Sequence, residues 1–558
     1  MQRVVNRLRR PRARTVVLLA VLAVGISHRD TANTWFTQAW AQVVAPPTAG
    51  IILDGLEIRR PMLPGSPPEV VFNNSQAANT QDRNGRKFLV KGFQFTGNES
   101  VRQGALRRVV ERFAESELNL FELKKAADAV TAYYRNQGYP LAVAIVPAQK
   151  IEDGMVVIEV IEGRIGNLTF DGNTRYSTPF LNGYMKPAVT APVVTMDTLE
   201  RALLTLNDLP GLAASATLSP GQNRGDTDVV VKIKESPLRV ALSANNNGRS
   251  ESGATRLDVT LGLNNPLGIG DELVFRKMQA EKQLMDYTQL KYSLPIGTSG
   301  VRVALSQSTA KYTVSGEFQA LEIAGDVTTT ELSATWPLER SRSRNLVASM
   351  GIRDTKTRQS ALATPLTEAS MQLLSLGGSG NWVHKDSSST SASAVFTSNF
   401  KDNIANEAGS VLGKLDLDVT HLTGVARKWD FFFHGNGVVS GSSLPDSEKF
   451  SIGGPDSVRG FRSAELRGDR GYLIDTELRR QFMVGRTVGV FSVFHDFGSV
   501  TNLGFATQDI LTSAGMGVTV YPTQKSQVKV DVAWPLRNSL STNLDTQPRV
   551  WASASISF

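Results

Sequence analysis

Two short stretches of this 558-residue sequence carry side chains whose types and spacing could do specific chemistry: Gly453-Gly-Pro-Asp-Ser-Val458-Arg459-Gly460-Phe461 and Phe494-His-Asp496-Phe-Gly498. The guanidinium of Arg459 presents a planar fork of donors that a carboxylate such as Asp496 can accept bidentately. A pair of that kind shielded from solvent is screened less than one on a surface. On residue types alone, Arg459 is equally an exposed arginine in a glycine-rich loop, and Asp496 an unrelated acid at a strand end. Nothing else in the chain competes for a reactive role. The five histidines (His28, His384, His421, His434, His495) are scattered without metal-ligand spacing. Cysteine is absent, which removes thiolate nucleophiles and disulfides. Gly377-Gly-Ser-Gly380 and Gly435-Asn-Gly437 are followed by no helix, so the amide cradle of a phosphate loop is missing; they read as strand positions that need small side chains. The chain is therefore not expected to be an enzyme, and no catalytic residue, cofactor or metal is expected.

The elements that must position the two stretches follow from the patterning. Hydrophobic residues make up 41% of the chain, an ordinary figure for a folded protein. The formal net charge of +8 is concentrated at the start: residues 1–41 hold seven arginines and one aspartate, and the remainder has 53 basic against 51 acidic residues. A near-neutral remainder lacks the one-sided basic field of nucleic-acid binding, so no nucleic-acid partner is expected. Six arginines (Arg3, Arg7, Arg9, Arg10, Arg12, Arg14), an apolar run from Val16 to Ile26 and the small-x-small site Ala39-Trp-Ala41 form the order of a secretory signal peptide, residues 1–41. The apolar run is well short of the ~20 residues that a spanning helix needs, and no later segment reaches that length. After export the protein is either soluble or crosses a bilayer as strands.

From Lys87 to Glu162 the periodicity predicts strand, helix, helix, strand, strand. Phe88, Val90, Phe93 and Phe95 begin it, Leu106 to Phe113 and Leu123 to Tyr134 recur at helical spacing, and Leu141–Val146 and Met155–Ile161 read as strands. The order then repeats. Phe95-Thr-Gly97-Asn98 returns 75 residues later as Phe170-Asp-Gly172-Asn173, Pro147 as Pro220, and Val157-Ile-Glu-Val160 as Val230-Val-Lys-Ile233. Two copies of one α+β module, residues 87–163 and 164–236, are expected. Residues 42–86, rich in Pro, Asn and Gln, read as a linker.

Beyond Ser236 the helical spacing disappears. Segments of about ten residues alternate apolar with polar side chains, as in Leu257, Val259, Leu261 and Leu263 against Arg256, Asp258 and Thr260. Lys414, Asp416 and Asp418 alternate with Leu415, Leu417 and Val419 in the same way, and Lys529 and Asp531 with Val528, Val530 and Val532. About 16 strands fit residues 237–558, with short turns such as Pro295–Gly300 and Gly424–Lys428 between longer connections such as Ala310–Thr328 and Gly441–Arg470. Alternation alone also suits a soluble sheet with one wet face. The number of strands, the lack of helices and the signal peptide favour a closed antiparallel barrel, because lipid offers the backbone no hydrogen-bond partner. The fold class expected is mainly β: a C-terminal 16-stranded transmembrane barrel behind two α+β modules.

The module order, the F-x-G-N turn, Gly138-Tyr-Pro140 and Ile161-Glu-Gly163 resemble POTRA domains, the polypeptide-transport-associated modules that precede outer-membrane transport barrels. Val458-Arg459-Gly460-Phe461 resembles the V-R-G-[FY] motif, and Phe494, Asp496 and Gly498 its partner F-x-D-x-G, of two-partner secretion transporters, the haemolysin secretion/activation family. The final Phe558 resembles the terminal signal read by the barrel-assembly machinery. The resemblance implies that the loop bearing Arg459 folds back into the lumen and is fastened to the wall through Asp496. It also implies that a secreted exoprotein docks on the POTRA modules by strand addition, and that a short helix from residues 42–86 plugs the pore, for which Ile51–Arg60 is the candidate here. A barrel-assembly insertase carries more POTRA copies, and a passive porin needs none; both fit this chain less well.

Overall fold

In a computed structural model the chain is described over residues 48–49, 51, 70–72, 85–404, 412–505, 507–539 and 547–558. The signal-peptide reading and nearly all of the candidate plug Ile51–Arg60 lie outside these residues.

Both repeats form α+β modules, and their shared residues have the same job in each. In the first, Gly92–Thr96 pairs in parallel with Met155–Ile161, which pairs antiparallel with Val143–Ile145, and helices Gln103–Val110 and Leu120–Asn136 cover the sheet. The longer helix starts where it does because Asn119 caps the Glu122 amide while the Glu122 side chain returns to the Asn119 amide. In the second, Arg164–Asp171, Leu212–Pro220 and Asp226–Glu235 form the sheet under helices Thr178–Val189 and Met196–Asn207. The repeated F-x-G-N turn has a steric origin. Gly97 and Gly172 adopt φ of 72° and 90°, and a Cβ there would lie 2.2 Å from the Val160 carbonyl oxygen and 2.4 Å from that of Ile233. The following Asn98 and Asn173 side chains donate to the Val101 and Tyr176 carbonyls at 2.9 and 2.8 Å. Glu162 then accepts from the Ser100 amide at 2.7 Å, and Glu235 from the Thr174 amide at 3.0 Å. The repeat is thus a repeated turn-closing network.

The linker reading of residues 42–86 needs one correction: Val70–Phe72 is a strand, paired in parallel with Ala216–Leu218 at the edge of the second module's sheet. A free edge exposes unpaired amides and carbonyls to any extended segment nearby, and three apolar residues in a polar stretch suffice to occupy it.

Residues from Leu238 onward form a closed antiparallel barrel of sixteen strands among the described residues, the first (Leu238–Asn245) hydrogen-bonding to the last (Arg549–Ser557). The alternation read from the sequence separates two environments. Leu257 is 61% exposed on the outer face while its neighbour Arg256 is 5% exposed inside. Leu417, Val419, Val528 and Val530 likewise face outward. No helix among the described residues is long and apolar enough to cross a membrane, and the cylinder satisfies its backbone internally as a hydrocarbon environment demands. The turns expected to be short are short, among them Gly297–Gly300 and Arg427–Lys428. Connections at the far end are not all long. Strands Arg344–Ala361 and Thr364–Val383, the longest of the barrel, meet in a turn at Leu362 and Ala363, both at positive φ, so their reach comes from extended strand rather than loop.

The second module is fastened to the turns at the near mouth of the barrel. Arg340 grips Asp208 with two bonds of 2.8 and 2.7 Å, Arg342 meets Glu200 at 3.1 Å, and the Arg175 guanidinium donates to the Asn265 carbonyl.

Candidate functional site

The lumen is crossed by the connection between the eleventh strand (Trp429–Ser440) and the twelfth (Arg470–Val484). Its base is a short hairpin, Phe450–Ile452 against Leu466–Gly468, and its tip holds Val458-Arg459-Gly460-Phe461. Val458 and Phe461 are buried in a lumenal apolar cluster with Ile452, Leu473, Val500 and Leu511. That packing draws the tip inward and aims Arg459 at the wall.

Arg459 is 2% exposed, and every face of its side chain is occupied. Its Nε and Nη2 bind both oxygens of Asp496, Nη1 donates to Glu477 Oε1 at 2.7 Å, and Nη2 also reaches Asp475 Oδ1 at 2.6 Å. The backbone amide of Arg459 donates to Asp496 Oδ2 at 2.9 Å, and so does the Ser513 hydroxyl. Asp531 stands 4.0 Å from Nη1. The guanidinium lies over the Phe494 ring, 3.3 Å from its centroid, a cation–π arrangement. Arg479 and Lys529 bind Glu477 and Asp531 at 2.6 and 2.8 Å, which tempers the surplus of carboxylates.

The glycines of the two motifs make room for this approach. A Cβ on Gly498 would come within 2.9 Å of Val458 Cγ2 and 3.1 Å of Ile452 Cγ2, and one on Gly460 within 2.7 Å of Ser513 Cβ. All seven motif residues named from sequence (Val458, Arg459, Gly460, Phe461, Phe494, Asp496, Gly498) therefore meet in one cluster, with Asp496 on the thirteenth strand, Thr487–Thr501. Phe558 lies apart, at the other end of the barrel, 62% exposed with its amide bonded to the Val240 carbonyl.

Sequence reading missed several members of the site. Asp475 and Glu477 share the inner face of the twelfth strand, where Asp475 is in register with Asp496. Their lumenal side was legible from the alternation, but which strands become neighbours around Arg459 was not. A second anchor was also missed. Glu448, on the same crossing loop, is buried between Arg353 at 2.6 Å and Lys414 at 2.9 Å, on the seventh and tenth strands. The loop is thus held at both sides of the lumen. Close to that anchor, Ala49 is helical and buried among Met285, Tyr287 and Tyr312, and Thr48 donates to Asp446 at 2.5 Å, an acid shared with Arg467. Thr48 and Ala49, upstream of the two α+β modules, therefore lie inside the barrel.

No group of three or more potential metal ligands occurs among the described residues. The arrangement is an electrostatic fastening: a buried cation whose carboxylate partners belong to the wall, so the loop cannot leave without exposing or abandoning charge.

Comparison with known proteins places this geometry among relatives. Residues 225–520 match the family model described as haemolysin secretion/activation protein ShlB/FhaC/HecB, and residues 88–163 match the ShlB-type POTRA domain. The heme/hemopexin transporter protein HuxB of Haemophilus influenzae is 26% identical over 523 residues, covering 89% of this chain and 92% of the relative. The outer membrane transporter CdiB of Dickeya dadantii is 24% identical over 442 residues, covering 75% and 77%. Among solved structures, CdiB from Escherichia coli superposes with a TM-score of 0.69 at 19% identity over 87% of this chain and 93% of that one. BamA from Haemophilus ducreyi lacking POTRA domains 1–3 reaches 0.52 at 15% identity, covering 84% and 100%.

Proposed function

The chain belongs to the haemolysin secretion/activation protein family, and from that premise we propose that it secretes a partner exoprotein across the outer membrane of a Gram-negative bacterium by a route gated at Arg459. Its POTRA modules stand in the periplasm and its barrel spans the lipid. The client arrives unfolded, pairs with an exposed sheet edge of residues 87–236 through sequence-tolerant backbone bonds, and enters a barrel whose lumen has been cleared. Folding outside favours outward movement, since no nucleotide motif is present in the sequence.

The observation that carries the gating role is the doubly anchored loop, held by Arg459 on one side and Glu448 on the other. A latch of this kind is stable at rest and reversible, because the carboxylates remain on the wall when the loop withdraws. Residues Val458, Arg459, Gly460, Phe461, Phe494, Asp496 and Gly498 are the latch in this reading, and Phe558 is the signal recognised by the barrel-assembly machinery. We assign residues 1–41 to a signal peptide, 42–86 to a plug and linker, 87–163 and 164–236 to the two modules, and 237–558 to the barrel. The burial of Ala49 in the lumen supports a plug beginning upstream of Ile51. No catalytic role is assigned to any residue.

The test is transfer of an unfolded candidate exoprotein into proteoliposomes carrying the purified chain, without ATP. Uptake into protease-protected space that is lost on deletion of residues 164–236 supports the proposal. A strict requirement for ATP would overturn the energetics, and broad loss of many outer-membrane proteins on depletion would identify an insertase instead.

A further inference from the structure

The cylinder closes through its weakest ladder. The first and last strands are in register only over Ala241–Asn245 and Ser553–Ser557, the shortest pairing between neighbouring strands of the barrel. One further backbone bond, from the Asn246 amide to the Ala552 carbonyl at 3.2 Å, ends the ladder. Asn246 still holds the last strand, its side chain bonding to the Val550 carbonyl and the Ala552 amide at 2.8 and 2.7 Å.

Beyond that point the crossing loop touches both sides of the gap. On the last strand, the buried Trp551 indole donates to the Arg459 carbonyl at 2.7 Å. On the segment after the first strand, the Asn247 carbonyl accepts from the Ser463 hydroxyl at 2.7 Å, and the buried Arg249 donates to the Ser463 carbonyl at 3.1 Å. Glu251, also buried, binds Arg462 at 3.2 Å and lies 3.6 Å from Arg249. These contacts are built from groups removed from water, where an unmade hydrogen bond or ion pair is costly.

We propose that the lumenal loop is also a strap across the closing seam, with Trp551, Arg249 and Glu251 as positioning residues that join the two ends of the barrel through loop residues 459–464. The two devices are coupled. Withdrawing the loop to clear the lumen removes the strap, so the seam loosens and the cylinder can widen only when the latch has opened. This rests on the proposed gating by the loop, but it makes a claim about the empty barrel that needs no client.

The experiment is hydrogen exchange on the purified full chain in detergent, comparing wild type with Trp551→Phe, Arg249→Gln and Arg459→Ala. Heat-modifiable gel mobility confirms a folded barrel in each. Trp551→Phe keeps an aromatic ring and removes the donor. Loss of one buried hydrogen bond should speed exchange at Ala241–Asn245 and Ser553–Ser557 by about tenfold, with the interior ladder of Leu373–Val383 unchanged. Because the chain lacks cysteine, a Ser243→Cys/Ser555→Cys pair, in register across the seam, gives a second readout. Locking that disulfide should suppress any rise in open-channel conductance caused by Arg459→Ala, whereas a Ser379→Cys/Ser393→Cys pair within an interior ladder should not. Seam exchange at the wild-type rate in all three variants, or equal effects of the two disulfides, would overturn the strap while leaving secretion by the chain untouched.

Discussion

Replacing Arg459 with alanine is the most direct perturbation of the proposed latch. The side chain is 2% exposed and is bonded to Asp475, Glu477 and Asp496, with Asp531 at 4.0 Å. Removing one member of a buried ion pair costs about 3–5 kcal/mol, because the partner charge is left uncompensated. Here Arg479 and Lys529 already contact Glu477 and Asp531 and leave part of the acidic charge compensated, so the lower end of that range applies. At ~1.4 kcal/mol per factor of ten, the equilibrium between seated and withdrawn loop shifts by roughly a hundredfold or more. Single-channel recording in planar bilayers reads this as a rise in open probability of that order, at unchanged barrel mobility on gels. Arg459→Lys should fall between, since an ammonium keeps the charge but cannot form the bidentate fork or stack its plane on Phe494. Arg459→Ala and Asp496→Ala should be strongly non-additive. Open probability within twofold of wild type in Arg459→Ala, or additivity of the two changes within about 0.5 kcal/mol, would refute the electrostatic latch.

Three further outcomes follow from the same structure. Gly498→Ala places a methyl 2.9 Å from Val458 Cγ2; overpacking of about 1–3 kcal/mol should raise open probability although Arg459 and all its acidic partners are still in the chain. Leu417→Arg puts a charge on the outer face of the tenth strand, Gly413–Ala426, at a cost of up to ~2–4 kcal/mol near the bilayer midplane, and should lower the yield of assembled barrel on heat-modifiable gels. In the second module, burial pushes the Glu235 carboxyl up, but the amides of Thr174, Tyr176 and Arg175 outweigh it and hold it below the usual glutamate range. Its contribution to stability is therefore complete above the unfolded value of ~4.3 and is lost as pH falls through the lower folded value. Limited proteolysis between residues 164 and 236 should show Glu235→Gln more susceptible than wild type at pH 7, with the difference shrinking as pH is lowered below ~4.3.

Two physical periodicities made much of the fold legible in advance. The two-residue alternation of Leu257 to Leu263, and of Val528 and Val530 around Lys529, is satisfied by a sheet with one dry and one wet face. Closure of that sheet made the wet face a lumen, into which Lys529 reaches to meet Asp531. The repeated F-x-G-N turn announced two copies of one module because only glycine tolerates the approach of the Val160 and Ile233 carbonyls. The strand Val70–Phe72 was not legible, since three apolar residues carry no period and acquire an extended form only from the edge they join.

The sequence by itself determined the class of the molecule: local spacing decides whether a segment is helix or strand and which face is apolar, and these are properties of near neighbours in the chain. It also marked Arg459 and Asp496 through their motifs. Only the tertiary structure decided what surrounds them. Asp475, Glu477, Ser513, Asp531 and Trp551 come from four different strands, and Glu448, Lys414 and Arg353 from distant parts of the chain. Closing sixteen strands into a cylinder brings the first beside the last and folds one loop across the interior, so the partners of a buried charge are set by closure and register, which no local pattern encodes.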